Sequence, residues 1–238
     1  MSVAKDICLG GIQKCSLIDF PGKVSCVVFV TGCNFRCPYC HNPELVKNNG
    51  SPHRRLDNNI ILNFLKQRQG LLDGVVISGG EPTLQPGLFA FCQKLKELGY
   101  AVKLDTNGTR PEVIEKLLKA KLVDYVAMDI KADLSGYQVF TGREFASRTI
   151  SKSIKIIMEQ APAYEFRTTC VKPFIDKAKI YNIAWMIKGA MMYALQRFHQ
   201  TKVLSPEFFK NNDNTYTDCE LQDLKSMVEP FVQNCIIR

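Results

Sequence analysis

Three cysteines, Cys33, Cys37 and Cys40, lie on one short segment with the spacing C-x3-C-x2-C. Three thiolates on one loop can each bind one iron of a [4Fe–4S] cube, which leaves the fourth iron open to a small molecule. A cluster used only for electron transfer normally has a fourth cysteine, and none follows here at close range. The segment therefore predicts an iron–sulfur cluster with one iron available to a ligand.

Two other interpretations of this segment are open at this point, a zinc site and a disulfide framework. A structural zinc ion has four protein ligands. His41 is a poor fourth ligand because it is adjacent to Cys40, and adjacent residues rarely reach around one tetrahedral ion. Disulfide frameworks are typical of oxidising compartments and small scaffolds, whereas this chain has 238 residues.

The composition favours one domain over residues 1–238, with its core over about 20–200. Hydrophobic residues make up 46% of the chain, which is long enough for one large core. Lys5 and Asp6 fall where a signal peptide would be apolar, and no apolar stretch is long enough to cross a bilayer. We therefore expect a cytoplasmic protein that has no membrane partner.

The formal net charge is +8, from 31 Lys and Arg against 23 Asp and Glu. Such a charge suits nucleic acid, an anionic substrate or an acidic partner surface. The basic residues are spread along the chain, and the densest short cluster is His53-Arg54-Arg55. We interpret this cluster as solvated surface and predict no nucleic-acid partner.

Apolar strands and amphipathic helices alternate along the chain. Strands are predicted at 24–31, 74–78, 101–104, 125–129, 164–170 and 191–198. Helices are predicted at 60–65, around 88–95, from Pro111, at 151–160, at 176–187 and at about 218–232. Cys92 lies at helical spacing from the apolar residues Leu88, Phe91 and Leu95, which predicts a core position for it.

Six strand-then-helix units predict a parallel sheet of the α/β class, either doubly wound or closed into a barrel. Polar groups follow the strands at their carboxyl ends. In a parallel barrel the loops at that end form one shared active site, so these motifs favour a barrel with a single mouth. The motifs are the cysteine loop, Ser78-Gly-Gly-Glu-Pro82, Asp105-Thr-Asn-Gly108 and Asp129-Ile-Lys131.

The pair Gly79-Gly80 ends a predicted buried strand. A glycine lets a ligand approach the backbone closely, and free carbonyls at a strand end can accept from a ligand ammonium. The plain alternative is an ordinary turn with Pro82 opening the next helix.

Asp105 and Asp129 end neighbouring strands, with Thr106 and Lys131 close by in the sequence. Such a set suits an ammonium, a ribose or a hard cation held by oxygen ligands. The alternative is an Asp–Lys ion pair beside a turn built on Asn107-Gly108.

These motifs, taken together with Met128 before Asp129, resemble the radical S-adenosylmethionine (radical SAM) superfamily. Within it they look like the activating enzymes of glycyl-radical enzymes. Residues 10–22 and 41–46 are similar to the longer form of the activating protein of anaerobic ribonucleoside-triphosphate reductase. The resemblance runs from about residue 10 to residue 131.

The resemblance implies a partial (β/α)6 barrel of the radical SAM type, with a [4Fe–4S] cluster on the three cysteines and S-adenosylmethionine (SAM) on the open iron. It places Tyr39 near the adenine and Lys131 near the nucleoside. It also implies a methionine-ammonium site and a monovalent cation beside the SAM carboxylate. The ammonium site would comprise Gly79, Gly80 and Glu81, and the cation site Asp105, Thr106, Met128 and Asp129.

His199, at the end of the sixth predicted strand, is in a position to reach the nucleoside, as a histidine does in related activases. The inserted ferredoxin-like segment of some activases, with its eight cysteines, is absent after Cys40. The remaining cysteines are scattered, and we interpret them as core or surface thiols. They are Cys8, Cys15, Cys26, Cys170, Cys219 and Cys235.

The resemblance implies reductive cleavage of SAM and formation of a glycyl radical on a partner enzyme, expected to be anaerobic ribonucleotide reductase. The electron donor would be a protein such as flavodoxin or ferredoxin. One alternative is a small-molecule radical SAM enzyme such as a 7-carboxy-7-deazaguanine synthase, which would need pterin and Mg2+ ligands that the sequence does not identify. Another is an iron–sulfur electron carrier with no turnover.

Overall fold

The computed structural model describes residues 6–47, 56–141, 148–210 and 213–238, and these ranges share one eight-stranded sheet. The strands are β1 (Leu9–Ser16), β2 (Ser25–Val30), β3 (Gly74–Gly79), β4 (Ala101–Thr106), β5 (Tyr125–Asp129), β6 (Tyr164–Cys170), β7 (Tyr193–Arg197) and β8 (Cys235–Ile237). The helices are α1 (Pro43–Lys47), α2 (Asn58–Lys66), α3 (Leu88–Glu97), α4 (Pro111–Lys119), α5 (Gln138–Thr141), α6 (Arg148–Gln160), α7 (Lys177–Met186) and α8 (Asp218–Val228).

The strands follow one another across the sheet in chain order. β1 is antiparallel to β2, and β2 to β8 are all parallel. Parallel neighbours need a crossover connection, and a helix lies in each described connection from β2 to β8. The predicted α/β alternation is confirmed, and a sheet with β1 and β8 at its edges is consistent with a partial barrel.

The six predicted strands correspond to β2 to β7, with bounds that agree to within two residues. β1 was not predicted, because Gly10 and Gly11 weaken its strand pattern. β8, with three residues, is too short to give a pattern. The last helix ends at Val228 instead of extending to 232, because Pro230 cannot continue an α-helix.

Two apolar clusters lie on opposite faces of the sheet. Val28 and Ile77 belong to the large core between the sheet and the helices, whereas Val27 and Val76 pack with Phe20 in a small second cluster. Successive side chains of a strand point to opposite faces, so this second cluster lies on the inner face. Phe20 comes from the turn between β1 and β2. The inner face of β2 and β3 near the start of these strands is therefore apolar.

The predicted surface features are a basic cluster and the lack of a membrane-spanning segment. The basic cluster His53-Arg54-Arg55 lies outside the described residues. Among the residues that are described, no helix is both long and apolar enough to cross a bilayer. The single domain over residues 1–238 and the cytoplasmic location stay predictions.

The loop after β3 packs directly against the segment that leads into the cysteine loop. Gly79 has a φ of +109°, and a Cβ added there would lie 2.6 Å from the carbonyl oxygen of Val30. A Cβ on Gly80 would lie 2.1 Å from the carbonyl oxygen of Gly32, which also accepts from the Glu81 N–H at 2.8 Å. Glycine is therefore required at both positions for the two loops to meet.

Replacing Gly80 by alanine should lower the free energy of unfolding by about 1–3 kcal/mol or more, because the methyl group must displace backbone atoms. Gly11→Ala is the matched control, since a Cβ there meets the Phe29 side chain at an ordinary 3.7 Å. Urea unfolding of both variants measures the difference. Equal stability of the two variants would contradict the packing described here.

Candidate active site at the carboxyl ends of the strands

The carboxyl ends of the parallel strands surround one cavity of about 290 Å³. It brings together the polar motifs from four successive strand ends, as the sequence predicted. Eleven predicted site residues line it: Cys33, Cys37, Tyr39, Cys40, Gly79, Gly80, Glu81, Asp105, Thr106, Asp129 and Lys131. Polar lining residues that were not predicted include His41, Asn107, Arg167, Thr169 and Gln196.

Hydrogen bonds hold the cysteine loop against the loop after β4. The Asn107 side chain donates to Asn34 Oδ1 at 2.9 Å and approaches Cys33 Sγ at 3.9 Å. Asn34 in turn donates to Thr109 Oγ1 at 2.9 Å. Within the loop, the Phe35 N–H donates to Cys33 Sγ at 3.4 Å. These contacts fix the first cysteine relative to β4.

Cys37 is buried and Cys33 and Cys40 are partly buried, and burial is the main influence on the ionisation of their thiols. It raises the pKa of Cys33 to about 11 and that of Cys37 to about 12, and it also raises the pKa of Cys40. The Lys131 ammonium opposes the rise at all three. Because iron binds thiolates, loading a cluster here releases protons.

The donor set fits a [4Fe–4S] cluster with one open iron. All ten cysteines are within the described ranges, where they are free thiols, and Cys33, Cys37 and Cys40 are the ones that line the cavity. Cys92 is fully buried in the apolar core, as predicted. In the described part of the chain, no three His, Cys, Asp or Glu side chains converge on a single metal ion. Three thiols at separate points of one wall suit the corners of a cube.

Glu81 joins the loops after β3 and β4. Its side chain is 1% exposed, and its Oε1 accepts from the Thr83 N–H at 3.1 Å, the Thr83 hydroxyl at 2.5 Å and the Thr106 hydroxyl at 2.7 Å. Its Oε2 accepts from the Asn107 N–H at 2.7 Å. Burial raises the pKa of Glu81, and these hydrogen bonds oppose the rise. Glu81 therefore has a structural role in addition to the ligand contact that its motif predicts.

Five charged side chains form a network on the inner face of β4, β5 and β6. Arg167 Nε donates to Asp129 Oδ1 at 2.7 Å, and Arg167 Nη1 lies 3.4 Å from Asp105 Oδ2. Lys131 Nζ donates to Asp129 Oδ2 at 2.9 Å, and Lys103 Nζ donates to Asp105 Oδ1 at 2.5 Å. Burial alone would raise the pKa of Asp129, but Arg167 and Lys131 outweigh it and hold that pKa well below its usual range.

The network leaves no carboxylate oxygen of Asp105 or Asp129 without a partner from this chain. Thr106 donates its hydroxyl proton to Glu81, and Met128 is buried in the apolar core on the opposite face of β5. The side chains of these four residues are therefore already engaged, and they do not fit a monovalent cation as ligands.

Sequence reasoning missed Arg167, although a signal for it exists. Glu165, Arg167 and Thr169 alternate along β6, which places three polar side chains on one strand face. Both Arg167 and Thr169 line the cavity, and Glu165 lies 4.0 Å from Arg167 Nη1. A polar period of two, alternating with Tyr164, Phe166, Thr168 and Cys170, would have indicated an inward-facing polar row.

Aromatic rings form the wall behind the third cysteine. Tyr39 packs against Phe140 and Phe174, with ring centroids 5.9 and 5.7 Å away, and Lys131 Nζ lies 5.9 Å from the centroid of the Tyr39 ring. Burial raises the pKa of Tyr39 well above its usual value, so its hydroxyl stays protonated. This wall presents a neutral ring and a cation to the cavity.

His199 is the predicted site residue that does not line the cavity. Its side chain is exposed, and its carbonyl oxygen lies 2.9 Å from His41 Nε2. The His41 ring, which does line the cavity, stacks on Phe198 with centroids 5.8 Å apart. Contact between His199 and a nucleoside stays a prediction.

Known proteins identify the family of this chain. The model of the radical SAM superfamily matches residues 27–163. This chain belongs to the radical SAM superfamily. A protein of Methanocaldococcus jannaschii named as a glycyl-radical enzyme activating enzyme is 38% identical to this radical SAM enzyme over 240 residues, which cover 97% of this chain and 95% of the relative. The pyruvate formate-lyase-activating enzyme of Clostridium pasteurianum is 30% identical over 226 residues, which cover 91% and 90% of the two chains.

Solved structures support the same fold at low sequence identity. Streptococcus suis SuiB bound to S-adenosylmethionine matches with a TM-score of 0.66 and 16% identity, over 87% of this chain and 48% of SuiB. Radical SAM enzymes use a [4Fe–4S] cluster and SAM, so these are the cofactors of this enzyme.

Proposed function

We propose that this radical SAM enzyme cleaves SAM reductively and generates a glycyl radical on anaerobic ribonucleoside-triphosphate reductase. The observation that carries the proposal is that the three loop thiols and the polar ends of β3 to β6 line the same cavity. The relatives named as activating enzymes support it, because the alignments cover nearly all of this chain. A protein electron donor such as flavodoxin or ferredoxin belongs to the same proposal.

Cys33, Cys37 and Cys40 would hold the cluster, and SAM would bind beside it. When bound, the reduced cluster would supply the electron for cleavage of the S–C5′ bond of SAM, which would give methionine and a 5′-deoxyadenosyl radical able to take a hydrogen atom from a partner glycine. The chain itself contributes binding, orientation and exclusion of water. Its buried aromatic and apolar walls, such as Tyr39 and Phe35, exclude water from the cavity.

The other lining residues would position SAM. Gly79 to Glu81 would accept the methionine ammonium, since all three residues line the cavity and backbone carbonyls at a strand end can accept from an ammonium. Tyr39 would contact the adenine, and Lys131, held by Asp129, would lie near the nucleoside. These roles follow from the resemblance and from the shared cavity.

The partner enters this proposal as an extended chain segment. The glycine to be oxidised must reach the cavity, and a sheet with edges at β1 and β8 offers an opening for a peptide loop. The similarity of residues 10–22 and 41–46 favours the ribonucleotide reductase. The relative named for pyruvate formate-lyase makes that enzyme the second candidate partner.

The test uses the full chain, reconstituted with iron and sulfide without oxygen. The reduced protein is given SAM, and 5′-deoxyadenosine is measured with and without each candidate partner. We expect slow cleavage alone and a glycyl radical, visible by paramagnetic resonance, when the cognate reductase is added. Cys37→Ala is the inactive control.

Each other outcome has a distinct meaning. A radical on pyruvate formate-lyase alone would transfer the proposal to that partner. Fast turnover of a small molecule with no protein radical would overturn it and favour the 7-carboxy-7-deazaguanine synthase alternative. Absence of 5′-deoxyadenosine under all conditions would indicate an electron carrier.

A further inference from the structure

A lysine is buried on the inner face of the sheet, beneath the proposed SAM site. Lys103 is 1% exposed, and its Nζ lies 2.5 Å from Asp105 Oδ1 and 5.8 Å from the centroid of the Tyr125 ring. Lys103 and Asp105 are two residues apart on β4, so both point inward. Burying an ammonium is costly unless an opposite charge pairs with it. The position of Lys103 therefore indicates a function as a counter-charge.

The carboxylates above Lys103 have more positive than negative charge around them. Glu165 lies 4.0 Å from Arg167, but its charge is offset by Arg238 at 2.8 Å. Of the remaining groups, Asp105 and Asp129 provide two negative charges, and Lys103, Lys131 and Arg167 provide three positive charges within 3.4 Å of their oxygens. A metal ion placed at this pair would be repelled by all three side chains. An anionic group, in contrast, would be attracted.

We propose that Lys103 takes the place of a monovalent metal ion at the Asp105–Asp129 pair. The remaining positive charge of the network then pairs with the carboxylate of SAM, and this part of the inference rests on the proposed function. SAM binding by this enzyme is consequently independent of sodium and potassium. Lys103 acts here as a positioning residue, since it holds Asp105 and lies below the cavity lining.

The first test uses the wild-type protein without SAM. Its thermal unfolding is measured in potassium chloride, sodium chloride and choline chloride at equal ionic strength. A cation bound by the folded state would raise the unfolding temperature by mass action. We expect the same unfolding temperature in all three salts. Stabilisation by potassium or sodium relative to choline would overturn the proposal.

The second test compares Lys103→Met with Lys96→Met. Lys96 also pairs with an aspartate, Asp124 at 2.8 Å, but the pair is partly exposed and lies away from the cavity. In choline chloride, Lys103→Met should bind SAM at least about tenfold more weakly than wild type, and potassium or sodium should restore part of the affinity. Lys96→Met should bind like wild type in every salt.

The outcomes separate this inference from the proposed function. If folded Lys103→Met binds SAM like wild type and its SAM binding does not depend on the salt, the proposal that Lys103 takes the place of a metal ion is wrong. If wild type fails to bind SAM in all three salts, the proposed function fails, and the unfolding series without SAM still decides the inference. If Lys103→Met does not fold, the salt series on wild type, with and without SAM, decides it.

Discussion

Cys37→Ala should remove the [4Fe–4S] absorption and the paramagnetic signal of the reconstituted protein, and SAM cleavage should fall to background. Cys37 is buried in the cavity wall, and among the described residues no cysteine besides Cys33, Cys37 and Cys40 lines the cavity to replace it. Cys33→Ala and Cys40→Ala should have the same effect, because each thiolate supplies one corner of the cube. Iron and sulfide content, absorption and paramagnetic resonance measure the result.

The matched control for these variants is Cys92→Ala. Cys92 is fully buried in the apolar core, on α3, so its thiol is as shielded from solvent as that of Cys37. Cys92→Ala should keep a full cluster and SAM cleavage. A full cluster with SAM cleavage in any one of the three loop variants would show that the ligand assignment is wrong.

Arg167→Met should lower the free energy of unfolding by up to about 3–5 kcal/mol, since removing one partner of a largely buried ion pair leaves a poorly compensated charge. Arg167 is the residue that contacts both carboxylates, at 2.7 Å from Asp129 and 3.4 Å from Asp105. Without it, the pKa of Asp129 should rise, because its largest favourable electrostatic partner is lost. Urea unfolding at neutral pH measures the change in stability.

Arg197→Met is the control for Arg167→Met. Arg197 lies on β7 and pairs with Asp218, whose side chain is 87% exposed. Exposed ion pairs contribute about 0–1 kcal/mol, so this variant should unfold almost like wild type. If the two variants lost the same free energy of unfolding, the inner-face charge network would not stabilise the fold more than an exposed ion pair does.

Local patterns were sufficient for the strands that form the centre of the sheet. The predictions at 125–129 and 164–170 have the same bounds as β5 and β6, because each is a run of strand-forming residues between turn signals. Connectivity then placed their polar ends together, since consecutive parallel strands of a barrel end on the same side. Most of the candidate site was therefore predictable without coordinates.

The pairing of β1 depended on contacts that no local pattern contains. β1 includes two glycines, and its strand character comes from its antiparallel pairing with β2, as in Ile12 opposite Val28. The position of His199 is a similar case. Its sequence position at the end of β7 suggested the cavity, but the backbone beyond Arg197 leaves its side chain exposed.

The sequence by itself determined which groups carry the chemistry. The three thiols lie within eight residues, and the polar motifs each follow a strand, so short-range spacing alone identifies them. Only the tertiary structure decided how the charges are paired. Arg167 on β6 lies 62 residues after Asp105 on β4, and their contact depends on strand register and on the face to which each side chain points. Register is set by the packing of the whole sheet, which a local pattern does not contain.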